Sequence, residues 1–385
     1  MNKIHINKSG KATVVLVLAP TGAYYETDKV KGISHFLEHM CFKGTKNRTN
    51  REISASIENC GGILNAFTDW ELTCYWAKVS NKYKNVAIDV INDLATNPLI
   101  PKLEVDKERQ VIIQELKMYA DNPKDSTWDL FNKTIFDRKC GFYLPIVGTR
   151  KSLQNIDRNE LKKYYTRTYK PLTQIIVGDV PDNQIIEQDV ILPKKDIILA
   201  KTKELDAYEY RQDITQANIL IGNVLRSPTN SLDTLFIFEI LQSLFNDMSG
   251  RLFGEVREKN NLCYRVKFES TNFSNDIIGW YVSVGLEASK IELAKELIQK
   301  ELTREIDNKE LAIAVEKTLG KFELSLDNPQ TLAVLVAYSL VNQIDYREVI
   351  NNYEKHINSI CSKIRDFIVD INFKNNILVG IVPKK

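Results

Sequence analysis

The chain has 385 residues and a formal net charge of +2, so its overall charge gives no indication of nucleic-acid binding. This length predicts two or three domains, enough to bury a substantial core. The six cysteines contain no Cys-x-x-Cys pair and form no dense framework. Such usage is typical of reduced thiols, and we expect a cytoplasmic protein.

The first predicted element is a strand over residues 13–19. This apolar run is too short to span a bilayer, and Pro20 and Gly22 follow it closely. A core strand therefore fits better than a signal peptide. We expect no association with a membrane.

Residues 35–39 read His-Phe-Leu-Glu-His, which is the inverted zinc-peptidase motif His-x-x-Glu-His. On a helix, His35, Glu38 and His39 leave one face within an arc of about 100°. Two neutral imidazoles one turn apart can chelate a zinc ion, and the carboxylate beside the open coordination position can deprotonate a bound water. The alternative is a chance match or a histidine pair within a core. Because the chain has only four histidines and two lie here, we favour a metal site.

Residues 105–119 predict an amphipathic helix that carries two candidates for a third ligand. A catalytic zinc keeps three protein ligands and leaves the fourth position for water, so we expect a carboxylate. Glu108 and Glu115 are seven residues apart and share one helix face. In isolation, either would be interpreted as a solvated surface residue.

Two further segments have local patterns. Residues 60–77 predict a two-stranded hairpin, because polar and apolar positions alternate after Gly61-Gly62. The basic and aromatic stretch 162–171 could bind a polyanion. We interpret it instead as the end of a helix that Pro171 breaks, before a strand over 174–180.

An internal repeat organises the chain. Asp-Asn-Pro occurs at 121–123 and again at 327–329, an offset of 206 residues. Ahead of each copy lies the same predicted order of strand, helix, acidic stretch and helix, which indicates duplication. We predict an N-terminal zinc-binding domain over 1–185, a linker over 186–211 and a homologous C-terminal domain over 212–385.

The second copy cannot repeat the zinc site. No histidine lies between His39 and His356, and the position 206 residues beyond Glu115 is Lys321. The C-terminal domain is therefore expected to contribute other groups.

Three segments together resemble the pitrilysin/insulinase zinc peptidases, most closely their processing-peptidase-like branch. They are the motif at 35–39, the hairpin at 60–77 and residues 250–264. The resemblance implies an α+β fold of two homologous domains, each an antiparallel-dominated sheet flanked by helices, that form a clam-like chamber. It implies a zinc endopeptidase with one zinc ion per chain that cleaves extended peptides or unfolded segments. It also implies a homodimer.

The resemblance assigns metal-site roles. Glu115 follows His39 by 76 residues, the spacing of the family's third zinc ligand, so His35, His39 and Glu115 are expected to bind the metal. Glu108 resembles the family's glutamate that supports the site without binding zinc. Glu38 is expected to be the general base.

The same resemblance assigns substrate contacts. The strand matching Asn65, Ala66 and Phe67 is, in the family, an open edge to which the peptide substrate adds as a further strand. Arg257 and Tyr264 match an Arg and a Tyr seven residues apart, which supply donors to the tetrahedral oxyanion.

Two other functions remain open. Some processing-peptidase-like subunits are scaffolds in respiratory complexes, and they typically lose zinc ligands that are all present here. A chaperone that holds zinc and peptide without cutting is another possibility. The sequence also departs from the family. The first clear strand is reached by Thr13 and the segment between the domains is short, so we expect a strand or helix usual in relatives to be missing. The glycine-rich loop is reduced to residues 246–250.

Overall fold

The structure is a computed structural model that describes residues 1–193, 196–200, 206–226, 231–274, 277–371 and 373–384. The chain forms two compact units. Unit 1 comprises Met1–Met118, Arg138–Ile197 and Ser325–Tyr346, and unit 2 comprises Tyr119–Asp137, Ile198–Leu324 and Arg347–Lys385. Within the described ranges, no helix has the length and apolar character needed to cross a membrane.

The strands, in chain order, are β1 (Asn2–Asn7), β2 (Ala12–Ala19), β3 (Ile63–Thr68), β4 (Thr73–Ser80), β5 (Thr173–Gly178), β6 (Asn183–Ile185), β7 (Asp206–Arg211), β8 (Ala217–Arg226), β9 (Cys263–Ser274), β10 (Ile277–Leu286) and β11 (Ile377–Pro383). The α-helices are α1 (Ile33–Cys41), α2 (Asn50–Glu58), α3 (Lys84–Thr96), α4 (Lys102–Asp121), α5 (Pro123–Ile135), α6 (Arg150–Asn155), α7 (Arg158–Thr168), α8 (Ser231–Phe245), α9 (Ile291–Thr303), α10 (Asn308–Asp327), α11 (Pro329–Val341), α12 (Tyr346–Ile360) and α13 (Ile364–Ile371).

Unit 1 contains a six-stranded sheet in the order β3-β4-β2-β5-β1-β6. Neighbouring strands pair antiparallel except β1 and β5, which are parallel. On one face of β2, Val15 and Val17 join a core formed with α1, α2 and α3. Val14 and Leu16 alternate with them and are fully buried on the other face. That face is covered by α11, which packs against β2 and β5. Burial on both faces explains the continuous apolar run of this strand.

Unit 2 contains a five-stranded sheet in the order β7-β11-β8-β10-β9. Only β7 and β11 pair in parallel among these strands. Helix α5 packs against β8 and β11. Aromatic side chains fill the core, where the rings of Trp280 and Phe373 meet edge to face at 4.8 Å between centroids. Both units therefore confirm the predicted α+β fold of antiparallel-dominated sheets flanked by helices.

The repeat inferred from the sequence is confirmed by the helices. Helices α4 and α10 begin and end 206 residues apart, and so do α5 and α11. Asn122 and Asn328 cap α5 and α11 in the same way, since each side chain accepts a backbone N–H two residues later. Helix α5 lies in the first half of the sequence but belongs to unit 2, and α11 lies in the second half but belongs to unit 1.

Two features differ from or extend the sequence analysis. The expectation that Thr13 begins the first strand is wrong, because β1 precedes it and pairs with β5 over its whole length. Within the predicted linker 186–211, residues 194, 195 and 201–205 lie outside the described residues, and β7 occupies 206–211. The predicted domain boundaries stay a prediction.

Candidate metal centre

The first turn of α1, which carries the histidine motif, is anchored by a buried carboxylate. Glu26 Oε2 accepts the N–H of Gly32, and its Oε1 accepts the N–H of Ser34, both at 2.7 Å. Gly32 has a φ of 93°, which side chains rarely tolerate, and a Cβ there would lie 2.6 Å from a neighbouring carbonyl oxygen. Burial raises the pKa of Glu26 although these N–H groups and Lys31 oppose it. Together these contacts fix the direction in which α1 projects its motif.

Three possible ligand residues converge between α1 and α4. Donor atoms of His35, His39 and Glu115 all lie within 4.8 Å of one another. The two Glu115 oxygens face the two imidazoles, with Oε1 3.6 Å from His35 Nε2 and Oε2 3.6 Å from His39 Nε2. Atoms bound about 2.1 Å from a tetrahedral zinc are separated by about 3.4 Å, so this spacing suits a shared metal better than direct hydrogen bonds. Two imidazoles with one carboxylate are also a donor set of catalytic zinc sites.

Glu108 orients one of these imidazoles. His39 Nδ1 lies 2.9 Å from Glu108 Oε1, so Nδ1–H donates to the carboxylate and Nε2 is left facing Glu115. The other oxygen, Oε2, is 2.5 Å from Lys43 Nζ. Burial would raise the pKa of Glu108, but the hydrogen bonds from His39 and Lys43 outweigh it and lower that pKa. Burial likewise opposes the charge on His39, yet Glu108 and the nearby carboxylates raise its pKa.

The second imidazole is held differently. His35 is buried, and its Nδ1 has no hydrogen-bond partner among the described residues. Burial, and then the neighbouring His39, lower the pKa of His35 to about 3. The ring is therefore neutral at physiological pH, which is the state that binds a metal.

Glu38 lies between the histidines in sequence and has an environment suited to proton transfer. The carboxylate is buried, and Thr68 Oγ1 donates to its Oε2 at 2.5 Å. Burial raises the pKa of Glu38 to about 7, with Thr68 and His39 opposing this shift and Glu115 adding to it. A general base works best when its pKa is near the working pH.

Strand β3 brings the predicted substrate segment to the edge of the sheet. It is the terminal strand of unit 1 and, within the described residues, pairs only with β4. Asn65 is exposed, and Ala66 and Phe67 are half-buried. The last residue of β3 is Thr68, which contacts Glu38, so the open edge ends beside the metal centre.

Arg257 and Tyr264 lie in unit 2 and contact each other. Arg257 belongs to a π-helical turn over Phe253–Lys259, and its guanidinium lies over the Tyr264 ring at 4.8 Å. A second ring, that of Phe253, lies 4.6 Å from the same guanidinium. Tyr264 is 83% exposed near the start of β9. The two side chains therefore lie together in unit 2, and their action on a substrate stays a prediction.

Three supporting residues were missed in the sequence. Thr68 contacts Glu38, which lies 30 residues earlier in the sequence. Glu26 contacts backbone groups six and eight residues later. Neither separation corresponds to a helical or strand period. Lys43 had a usable signal, because it follows His39 by four residues, and Glu108 contacts both.

The fold and this site define a metallopeptidase-like chain, and comparison with known proteins identifies the family. Residues 4–141 match the model of insulinase (peptidase family M16), and residues 155–318 match the peptidase M16 inactive domain. This chain belongs to the M16 peptidase family, which confirms the resemblance seen in the sequence.

Individual relatives support this family assignment. The chain is 31% identical over 337 residues to the uncharacterized zinc protease YmxG of Bacillus subtilis, covering 84% of this chain and 81% of that protein. It is 34% identical over 188 residues to a probable mitochondrial-processing peptidase subunit beta of Arabidopsis thaliana, covering 47% of this chain and 34% of that one. A solved protease from Helicobacter pylori has the same fold, with a TM-score of 0.85 at 20% identity over 100% of this chain and 97% of that chain.

Proposed function

We propose that this protein is a zinc-dependent endopeptidase that hydrolyses extended peptides or unfolded segments. The observation that carries the proposal is the convergence of His35, His39 and Glu115 beside the buried carboxylate of Glu38. Relatives named zinc proteases support the same metal, and we propose one zinc ion per chain. When bound, zinc supplies Lewis acidity for the scissile carbonyl and lowers the pKa of a water ligand.

The chain's own residues perform the remaining chemistry. Glu38 takes a proton from the attacking water and passes it to the leaving amine. Its pKa of about 7 lets one carboxyl group both accept and return that proton near neutral pH. Arg257 and Tyr264 donate hydrogen bonds to the oxyanion of the tetrahedral intermediate, where negative charge develops.

The edge of β3 provides for substrate binding. An extended peptide would add beside Asn65, Ala66 and Phe67 through main-chain hydrogen bonds, which tolerate many side chains. Unfolded segments can adopt this extended form, whereas a folded domain has its strands already paired. We therefore propose conformation, more than sequence, as the main substrate requirement.

Substitution of the general base tests this function. The experiment measures bound zinc and hydrolysis of a quenched, unstructured peptide for the wild type and Glu38→Gln. Gln keeps the shape of the side chain but cannot accept the water's proton, so zinc should remain while the rate falls at least ~100-fold. The matched control is Glu58→Gln, an exposed position on α2 that should leave both unchanged.

The outcomes separate the candidate functions. More than a tenth of wild-type turnover in Glu38→Gln would remove Glu38 as the base. A wild-type protein that holds zinc and peptide without turnover would support the alternative of a non-catalytic scaffold or peptide-binding subunit, which is compatible with the match of residues 155–318 to an inactive domain.

Assembly and location complete the proposal. We propose that the protein is a homodimer. A monomer in analytical ultracentrifugation at micromolar concentration would contradict this. The six cysteines, all among the described residues, form no disulfide with one another, which suits the reducing cytoplasm. Fractionation of native cells tests the compartment.

A further inference from the structure

Lys43 contacts the carboxylate that orients His39. It lies two residues beyond the end of α1, and its Nζ is 2.5 Å from Glu108 Oε2. The other oxygen of the same carboxylate is 2.9 Å from His39 Nδ1. Glu108 thus bridges a lysine and a proposed metal ligand, with one oxygen given to each.

The contact between Lys43 and Glu108 matters because the Glu108 carboxylate is buried. The side chain of Glu108 is only 6% exposed, and that of Lys43 is 24% exposed. A buried carboxylate is costly without a cationic partner, and one with a free oxygen can rotate away from its remaining donor. Lys43 therefore supplies both the countercharge and the second fixed point that set the plane of the Glu108 carboxylate.

The backbone around Lys43 is itself held in place. The N–H of Lys43 donates to Met40 O at 3.1 Å, and the next carbonyl, of Gly44, accepts the N–H of Leu99 at 3.0 Å. Gly44 has a φ of 124°, a conformation that disfavours other residues at the point where the chain leaves α1. The ammonium group therefore starts from a fixed backbone.

We propose that Lys43 is a positioning residue of the metal centre. Its ammonium holds Glu108 so that Oε1 accepts Nδ1–H of His39, and the imidazole then presents Nε2 toward the metal. The inference rests on the proposed function, since it takes zinc as the group that His39 binds. It goes beyond that function by assigning a role in metal affinity to a residue that is not one of the three proposed ligands.

The test is the zinc affinity of full-length variants, measured by competition with a chromophoric chelator. Lys43→Met keeps the aliphatic stem and removes the charge, and we expect zinc affinity to fall about tenfold or more, as for other residues that orient metal ligands. Lys43→Arg should restore most of the affinity. An open cleft of about 470 Å³ beside Lys43 leaves room for the larger guanidinium. Lys46→Met is the control, because Lys46 lies in the same loop and is exposed.

A double substitution shows whether Lys43 acts through Glu108. If it does, adding Lys43→Met to Glu108→Gln should cause little further loss, because the carboxylate on which Lys43 acts is already gone. Full additivity of the two losses would overturn the proposal, and so would wild-type affinity in Lys43→Met. Thermal unfolding of the metal-free variants is measured in parallel, and if Lys43→Met fails to fold, Lys43→Gln takes its place.

The wild type separates this inference from the proposed function. A wild-type protein that binds no zinc would overturn both. Zinc binding and peptide hydrolysis by the wild type, together with unchanged affinity in Lys43→Met and Lys43→Gln, would overturn only the role of Lys43.

Discussion

Helices α4 and α10 occupy equivalent places in the duplicated sequence but carry opposite chemistry. On α4, Glu108 and Glu115 turn carboxylates toward the imidazoles of α1. The positions 206 residues later on α10 are Ala314, which is buried, and Lys321. Lys321 Nζ pairs with Asp247 Oδ2 at 2.7 Å. Two equivalent helices thus carry a candidate metal centre in unit 1 and a surface ion pair in unit 2.

This contrast shows that the scaffold and the chemistry are separable. Helix length, the Asn cap of the next helix and the spacing of elements persist in both copies. A few side chains decide whether the copy can bind a metal. Changes to the scaffold should therefore affect folding, whereas changes to those few side chains should affect metal or turnover alone.

The largest expected effect comes from removing α11 from unit 1. A fragment of residues 1–197 lacks Ser325–Tyr346, so the face of β2 that α11 covers becomes exposed. Val14, Leu16 and Leu18 are fully buried there, and each such side chain contributes about 1.5–3 kcal/mol. The sum of roughly 5–9 kcal/mol is comparable to the whole stability of a domain. We expect this fragment to show no cooperative thermal transition.

The matched control is the same fragment with residues 325–346 joined through a flexible linker. It should regain a cooperative transition, followed by circular dichroism, because it contains all three segments of unit 1. A fragment 1–197 that unfolds cooperatively near the full-length Tm would show that α11 is dispensable.

The next largest effect separates the two glutamates of α4. Glu115→Gln should lose zinc after dialysis, because a neutral amide replaces a ligand that faces both imidazoles. Glu108→Gln should retain the ligands and weaken zinc binding only about 10- to 100-fold, as for residues that orient a ligand. Metal analysis after dialysis against increasing chelator measures both. The reverse order would move the ligand to Glu108.

The sequence predicted the parts of this site that have a helical period. His35, Glu38 and His39 occupy one turn, and Glu108 and Glu115 lie two turns apart, so a local pattern was enough to place them on faces. The contribution of α11 could not be predicted in this way. It depends on which sheet a helix packs against, and that is decided by contacts between residues more than 300 positions apart.

Strand β1 and Thr68 were missed for related reasons. In β1, Ile4 and Ile6 are the only strongly apolar residues, and the strand is fixed by pairing with β5, about 170 residues away. Threonine is common in strands, so only the contact of Thr68 with Glu38 indicates that this residue belongs to the site. Both examples show that tertiary contacts select among local patterns that are individually weak.

A smaller effect, confined to turnover, is expected at Tyr264. Tyr264→Phe keeps the ring over which the Arg257 guanidinium lies and removes only the hydroxyl. If that hydroxyl donates to the oxyanion, kcat should fall ~100- to 1,000-fold, more than KM rises, while zinc content is unchanged. Tyr210→Phe, another exposed tyrosine of unit 2, is the control. An unchanged kcat would leave the Arg257 and Tyr264 contact with a structural role only.

The smallest effect is expected at Lys321, the counterpart of Glu115 in the second copy. Lys321→Gln breaks its ion pair with Asp247, but both side chains are well exposed, at 51% and 41%, and Lys317 Nζ remains 3.2 Å from the same carboxylate. Exposed pairs contribute about 0–1 kcal/mol, so urea unfolding should shift only slightly. Zinc content and turnover should equal those of the wild type. Because Glu115→Gln and Lys321→Gln place the same amide at equivalent positions, their difference measures what the metal centre adds to a common scaffold. Loss of zinc in Lys321→Gln would show that the two copies are not chemically independent.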